Sequence, residues 1–228
     1  MAWQSLTYSL AWGDRCMDVA FQILIGAVVG YLLGMIPSGG MVARAHGIDL
    51  TRIGSGSTGA TNVQRTLGTR WAAAVALIDV LKGTAAVLVT GLIVGGAPWE
   101  AGSWGQTAAG IFAAVGHAYS PLLGFRGGKG ILTGAGSLLV LSPVALLTAM
   151  VLGSIAIMLS KYVSLGSLVA TVVSSIIVLA QWFTGNGPSS FLVYGTLLPA
   201  FVLMTHRGNI YRLATGTERK VSRMRTKE

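Results

Sequence analysis

The chain has 228 residues, of which 53% are hydrophobic and only 10% are charged, and its mean hydropathy is +0.69. Soluble domains carry about 25% charged residues and disordered chains lack apolar side chains, so the composition excludes both classes. The net charge of +9 would suit nucleic acid. However, the basic residues flank apolar runs and the aromatic residues form no RNA-binding pattern, so we expect no nucleic-acid partner. The composition is typical of an all-α polytopic membrane protein.

Apolar stretches of about 20 residues predict transmembrane helices. In chain order they cover 19–36, 71–95, 104–123, 131–160, 162–183 and 189–205. A glycine-rich segment, 37–70, is too polar to span, and a short basic loop, 124–130, follows the third helix. In the first helix, Gly26, Gly30 and Gly34 form a repeated GxxxG face, which predicts close helix packing.

The run 131–160 decides the number of helices. Proline favours the first turn of a new helix and opposes the interior of an old one, so a break at Ser142–Pro143 gives seven helices rather than six. With seven helices, 14 of the 16 basic residues lie on one side, which the positive-inside rule assigns to the cytoplasm. We therefore expect an N-terminus outside, one integral membrane domain over 1–205, and a basic cytoplasmic tail over 206–228.

The first polar cluster lies in the segment 37–70 and has the sequence GSGSTGATN. Gly54, Gly56 and Gly59 satisfy the GxGxxG pattern, but a dinucleotide site needs a preceding strand and a soluble βαβ unit. Glycines still let backbone N–H groups converge on an anion, and a helix that starts near Thr61 adds its positive end. Arg65 then supplies a charge-assisted contact to phosphate. The alternative is a re-entrant turn in which the glycines serve only close packing.

The second cluster is FRGGKG, residues 125–130. It is not a Walker A loop, because Gly130 stands where serine or threonine must follow the lysine. Lys129 between glycines nevertheless makes a compact anion site, whereas Arg126 is interpreted as a topological anchor. His117, near the cytoplasmic end of an apolar helix, is either a packing residue or an acid/base candidate.

The third cluster opens the tail. His206, Asn209 and Arg212 are spaced three residues apart, so on a helix they share one face. An asparagine that faces a histidine at the membrane surface indicates a polar site. The basic residues from Arg219 onward are interpreted as membrane anchors only.

Two charged residues lie within the second predicted helix. Asp79 and Lys82 are neighbours on one turn. Charges inside a membrane pair with one another or line a polar cavity. A structural ion pair is the favoured interpretation, and proximity to substrate is the alternative.

Together these clusters resemble the bacterial membrane-integral acyl-phosphate:glycerol-3-phosphate acyltransferases, the PlsY family. The matching strings run in family order from residue 36 to 218. They are IPSG (36–39), GSGSTGATNVQR (54–65), DVLKG (79–83), GH (116–117), FRGGKG (125–130), YVSLGSL (162–168) and HRGNIYRLATGTE (206–218). Ser57 departs from the family pattern, which usually has asparagine at that position.

The resemblance implies transfer of a fatty acyl group from acyl phosphate to the 1-hydroxyl of glycerol 3-phosphate, giving 1-acylglycerol 3-phosphate and phosphate, in phospholipid biosynthesis. It implies a multi-pass protein of the bacterial inner membrane, in contact with membrane lipid, with a cytoplasmic-face active site and neither metal nor coenzyme A nor other cofactor. The catalytic residues assigned on this basis are His117, His206, Asn209 and Ser55. The substrate-binding residues assigned are Arg65, Lys129, Thr61, Asn62, Gly54, Gly56, Gly127, Gly128, Gly130, Ser167 and Lys82.

Several alternatives stay open from the sequence. The base is either one of the two histidines, His117 or His206, or an oxygen of a substrate phosphate. A transporter of phosphorylated metabolites would also combine basic residues with a polytopic fold, but transporters usually carry repeated halves, and the chain has no internal repeat. A lipid phosphatase generally needs paired carboxylates with metal or a compact Arg/His phosphate signature, and only Asp49 and Glu218 lie near the proposed site.

Overall fold

The computed structural model describes residues 19–94 and 102–221, and within them every regular element is helical. Arg15, Cys16 and the basic residues 223–227 lie outside this part of the chain. The helices are α1 (19–34), α2 (Ser38–Ala45), α3 (Ala60–Leu67), α4 (Thr69–Ile93), α5 (Trp104–Ala118), α6 (Ile131–Leu141), α7 (Pro143–Ser160), α8 (Val163–Phe183), α9 (Ser190–Thr205) and α10 (Arg207–Ala214). Short 3₁₀ turns occupy Leu50–Arg52 and Pro121–Leu123.

Four helical runs in the described residues are long and apolar enough to cross a membrane. They are Val19–Ala45, which joins α1 to α2, together with α4, α7 and α8. Helices α6 and α9 are apolar but shorter. Large apolar side chains on the outer surface, such as Leu159 at 82% exposure and Phe183 at 84%, suit a lipid environment. The fold is therefore that of an all-helical membrane protein, and the count of seven spans and their orientation stay predictions.

The run 131–160 is broken where the sequence indicates. α6 ends at Leu141 and α7 begins at Pro143, with Ser142 as the shared cap. The Ser142 hydroxyl accepts a hydrogen bond from the Ala145 N–H at 3.3 Å, and the proline occupies the first helical position, where its missing N–H costs nothing. The break into two helices expected from this sequence is thus present.

The third predicted helix is shorter than the sequence suggests. α5 ends at Ala118 rather than at residue 123. The chain leaves the helix because Ser120 donates a hydrogen bond to the Met35 carbonyl at 2.7 Å and Pro121 starts a 3₁₀ turn. This early end frees the carbonyl groups at the end of α5 to bind the following glycine loop.

Helix α5 is buried along most of its length and packs against α4, α6 and α9, while α4 also packs against α3 and α6, and α8 packs against α7 and α9. Glycines allow the close approaches that the GxxxG face predicts. A Cβ on Gly26, Gly30 or Gly34 would overlap the backbone of α5, so the close packing of α1 is confirmed. This packing brings the start of α3 and the C-terminal ends of α5 and α9 to one end of the bundle.

Candidate active site

The glycine loop 125–130 is fixed to the end of α5 by backbone hydrogen bonds. Gly127 N–H donates to the Ala118 carbonyl at 2.9 Å, and Gly128 N–H donates to the His117 carbonyl at 3.1 Å. Gly128 also packs directly on the His117 ring, so closely that a Cβ there would overlap it. The loop is therefore held rigidly, and it carries Lys129 into the site.

The turn 54–59 precedes α3 and is folded around one buried side chain. Asn62, 2% exposed, donates from Nδ2 to the carbonyls of Ile53 at 3.0 Å and Ser57 at 2.9 Å, and its Oδ1 accepts from the Ser55 N–H at 3.3 Å. α3 then begins at Ala60, beside the position near Thr61 expected from the sequence. The amide thus shapes the turn and presents the start of α3 to the site.

A polar chain connects the glycine loop to the tail. Lys129 Nζ donates to Asn209 Oδ1, and Asn209 Nδ2 donates to Glu218 Oε1 at 2.9 Å. The other carboxylate oxygen of Glu218 accepts from Arg212 Nε at 2.8 Å. This arrangement fixes the Lys129 ammonium by way of a neutral amide rather than a carboxylate, so its charge remains available to an anion.

Burial changes the protonation of these groups. Desolvation lowers the pKa of Lys129 to about 8, with the positive charges of Arg212 and Arg65 adding to the effect of burial. Although burial raises the pKa of Glu218, hydrogen bonds from Asn209 and Arg212 bring it below its ordinary value. Glu218 is therefore a carboxylate at neutral pH, and the Lys129 ammonium loses its proton at a pH slightly above neutral.

His206 lies at the junction of α9 and α10 and is 3% exposed. Its Nδ1 is 2.8 Å from the Val202 carbonyl, to which it donates, so Nε2 is left as an acceptor. Burial and the positive charge of Lys129 together lower the pKa of His206 to about 4. The ring is consequently neutral at physiological pH.

A second, buried polar group lies behind the glycine loop. The Asp79 carboxylate accepts from Ser38 Oγ at 2.6 Å and from Lys82 Nζ at 2.9 Å. Lys82 Nζ also donates to the Ile36 carbonyl at 3.0 Å and lies 2.8 Å from His117 Nδ1. The ion pair favoured by the sequence is thus present, and its Lys82 ammonium holds the His117 ring in place.

These groups surround a cavity of about 460 Å³. Its polar end is formed by the turn 54–59, α3, the glycine loop and the tail. Its other wall comes from α7 and α8, where small and apolar side chains lie side by side. Those side chains are Ala149, Met150, Gly153, Ile157, Gly166 and Ala170. One cavity therefore joins a cationic end to an apolar groove. Among the described residues, no three His, Cys, Asp or Glu side chains are grouped as a metal site.

Comparison with known proteins agrees with the resemblance seen in the motifs. Residues 24–216 match the family model described as "Glycerol-3-phosphate acyltransferase". The chain belongs to this family. A glycerol-3-phosphate acyltransferase 1 of Deinococcus radiodurans is 38% identical over 198 residues, covering 87% of this chain and 95% of that protein. A glycerol-3-phosphate acyltransferase of Thermus thermophilus is 41% identical over 194 residues, covering 85% and 92%.

Two solved structures of this acyltransferase family are also similar to this chain. Both are crystal structures of PlsY, described as an integral membrane glycerol 3-phosphate acyltransferase. The glycerol 3-phosphate form has 34% identity and a TM-score of 0.78, and the match covers 88% of this chain and 96% of that one. The lysophosphatidic acid form has 33% identity and a TM-score of 0.76.

Most of the acyltransferase site residues assigned from the sequence meet at the cavity. Those that line it are Gly54, Ser55, Thr61, Asn62, Arg65, His117, Lys129, Gly130, Ser167, His206 and Asn209. Gly127 and Gly128 lie beneath it, in the loop that presents Lys129. Gly56, at φ +69°, supports the turn 54–59 without lining the cavity. Lys82 does not line the cavity either, because its ammonium is engaged by Asp79 and the Ile36 carbonyl.

Other lining residues had no assignment from the sequence. Arg212 and Glu218 lie in the family motif of the tail, HRGNIYRLATGTE, and the signal for Arg212 was its place on one predicted helix face with His206 and Asn209. Arg219, interpreted as a membrane anchor, instead lines the cavity. The wall from α7, which includes Gly153, had no motif to mark it, because it depends on how α7 packs against α8.

Proposed function

We propose that this chain is an acyltransferase that moves a fatty acyl group from acyl phosphate to the 1-hydroxyl of glycerol 3-phosphate, in the synthesis of membrane phospholipid. The products are 1-acylglycerol 3-phosphate and inorganic phosphate. The proposal rests on one observation: the same cavity has a cationic end and an apolar wall. Two phosphate-bearing substrates need the cationic end, and one fatty chain needs the apolar wall.

The chemistry asks for positioning and charge stabilisation rather than an enzyme nucleophile. Acyl phosphate is already activated, so the substrate hydroxyl attacks the acyl carbon, the bond from that carbon to the phosphate oxygen breaks, and phosphate leaves. Lys129 and Arg65 neutralise the phosphates. In this proposal the oxyanion is stabilised by the second Nδ2 hydrogen of Asn209, the first being donated to Glu218.

The proton of the hydroxyl goes to a substrate phosphate oxygen in this proposal. A base with a pKa of about 4, as in His206, is weaker than a phosphate group, whose second pKa is near 6. His206 therefore accepts a hydrogen bond at Nε2 and orients the hydroxyl. His117 has Nδ1 beside Lys82 and its ring against Gly128, so it acts by positioning the glycine loop.

The choice of acyl phosphate over a thioester rests on the sequence. Acyl-CoA-dependent glycerolipid acyltransferases carry a histidine followed five positions later by aspartate. In this chain His46, His117 and His206 are followed at that spacing by threonine, leucine and tyrosine. Metal and cofactor have no part in the proposed reaction.

We further propose a seven-helix domain in the bacterial inner membrane, with the active site on the cytoplasmic face. Two observations support it. The polar segments 37–70, 124–130 and 206–218 meet at one end of the bundle, joined by contacts such as Lys129 to Asn209. Basic residues of the described part of the chain lie at that end, among them Arg65, Lys129, Arg212 and Arg219, as the positive-inside rule predicts for a cytoplasmic surface.

The test uses the purified protein in detergent or lipidic phase, with palmitoyl phosphate and glycerol 3-phosphate. The proposal predicts turnover that Lys129→Ala abolishes and that Arg126→Ala, in the same loop, retains. Turnover with palmitoyl-CoA in place of palmitoyl phosphate would refute the donor. If neither donor is used, and sealed vesicles carry glycerol 3-phosphate without acylation, the transporter alternative replaces the proposal.

A further inference from the structure

The tail folds back across the cavity opening as a strap, residues 215–221. Val221 N–H donates to the Lys161 carbonyl, between α7 and α8, at 2.7 Å. Lys220 lies over the Tyr162 ring, 5.7 Å from its centroid. Glu218, 9% exposed, is held by Asn209 and Arg212. The strap is thus anchored on both sides of Arg219.

Arg219 extends from this strap towards the turn 54–59. Its Nη1 lies 3.7 Å from where a Cβ on Gly54 would stand, and the residue lines the cavity. Among the charges near Arg65, that of Arg219 acts most strongly on it. Two guanidinium groups from distant parts of the chain, one on α3 and one on the strap, therefore face the same space.

The charges around this space are not balanced by the protein. Among the described residues four basic side chains line the cavity, Arg65, Lys129, Arg212 and Arg219, and of these Arg212 is paired with Glu218. The two carboxylates that line it are engaged, Asp79 by Lys82 and Glu218 by Asn209 and Arg212. Like charges close together repel, and an anion placed between them removes the repulsion.

We propose that Arg219 and Arg65 clamp one phosphate group between the strap and the turn 54–59, so that Arg219 is a substrate-binding residue. The inference rests on the proposed function for the source of that phosphate, which is either glycerol 3-phosphate or the acyl phosphate. Arginine suits this role because its planar fork meets two phosphate oxygens at once. Arg219, an exposed tail residue interpreted from the sequence as a membrane anchor, is then part of the site.

The test compares Arg219→Ala and Arg219→Lys with Arg207→Ala. Arg207 is exposed on α10 and does not line the cavity. Arg207→Ala therefore removes one positive charge from the same end of the bundle, as Arg219→Ala does, without changing the cavity lining. We expect Arg219→Ala to raise KM about tenfold for one of the two substrates, as loss of a charged hydrogen bond does, with kcat nearly unchanged. The substrate affected identifies the phosphate that Arg219 holds. Arg219→Lys should recover only part of the loss.

A second measurement does not depend on turnover. Inorganic phosphate should raise the Tm of the wild-type protein and of Arg207→Ala, and Arg219→Ala should need about tenfold more phosphate for the same rise. If the wild type fails to transfer acyl groups but this difference holds, the proposed function fails and the phosphate subsite stands. Equal KM changes in Arg219→Ala and Arg207→Ala, or a lower Tm and kcat in Arg219→Ala with both KM values unchanged, would overturn the subsite.

Discussion

Replacing Gly128 by alanine tests how the glycine loop positions Lys129. A Cβ at this position would overlap His117 Nε2 and lie 2.7 Å from Cε1 and 2.9 Å from Cδ2, whereas carbon atoms pack at about 3.5–4.0 Å. The backbone φ of Gly128 is not in the left-handed region, so the effect is one of space rather than of backbone strain. One of the two partners must move by roughly 1 Å.

The ring cannot move easily. His117 Nδ1 is 2.8 Å from Lys82 Nζ, and Lys82 is itself paired with Asp79 at 2.9 Å in the interior. The loop therefore moves, and Lys129 moves with it. A displacement of about 1 Å in a positioned catalytic group can lower the rate about 100-fold. Crowding of this kind also costs about 1–3 kcal/mol of stability.

The assay measures kcat/KM and Tm for Gly128→Ala beside two comparison variants. Arg126→Ala removes an exposed side chain in the same loop, and should keep its activity. Combining Gly128→Ala with His117→Ala removes the overlap, and we expect the double variant to be no less active than His117→Ala alone. Near-normal activity in Gly128→Ala would refute the rigid support of Lys129 by His117. A further large loss in the double variant would do the same.

Three further predictions concern the polar chain and the topology. Because the pKa of Lys129 is about 8, its ammonium is lost as pH rises through that value, so kcat/KM should fall above about pH 8. Lys129→Arg should move this fall to higher pH. An unchanged pH profile would mean that a group other than Lys129 titrates. Asn209→Ala should lower kcat more than it raises KM, because Asn209 orients Lys129 against Glu218; an effect confined to KM would make Asn209 a binding residue only. Phe125→Cys, in a chain whose single native Cys16 is replaced by serine, should react with an impermeant thiol reagent from the cytoplasmic side only; reaction from outside would overturn the proposed orientation.

Features encoded locally could be predicted from the sequence. The break before Pro143 follows from the missing N–H of proline, and the close-packing face of α1 follows from the glycines on one side of that helix. Likewise, the start of α3 beside Thr61 follows from the glycines that precede it. Each depends on residues close together in the chain, so the pattern alone contains the information.

Features that depend on distant packing could not be predicted in this way. The end of α5 depends on Ser120 finding the Met35 carbonyl, a partner 85 residues away. The position of Arg219 depends on Val221 pairing with Lys161, and charge alone does not distinguish a cavity arginine from a membrane anchor. The pairing of Lys82 with Asp79 within α4 was favoured by the sequence, whereas the contact of Lys82 with His117 depends on how α4 packs against α5.

Direct transfer between two substrates held in one cavity is the central claim, and phosphate release in the absence of acceptor tests it most directly. The enzyme is mixed with palmitoyl phosphate alone, released phosphate is quantified, and glycerol 3-phosphate is then added. Direct transfer predicts no rapid release before the addition, and equal amounts of phosphate and 1-acylglycerol 3-phosphate after it. A burst of phosphate equal to the amount of enzyme before the acceptor is added would indicate an acyl-enzyme intermediate and contradict direct transfer.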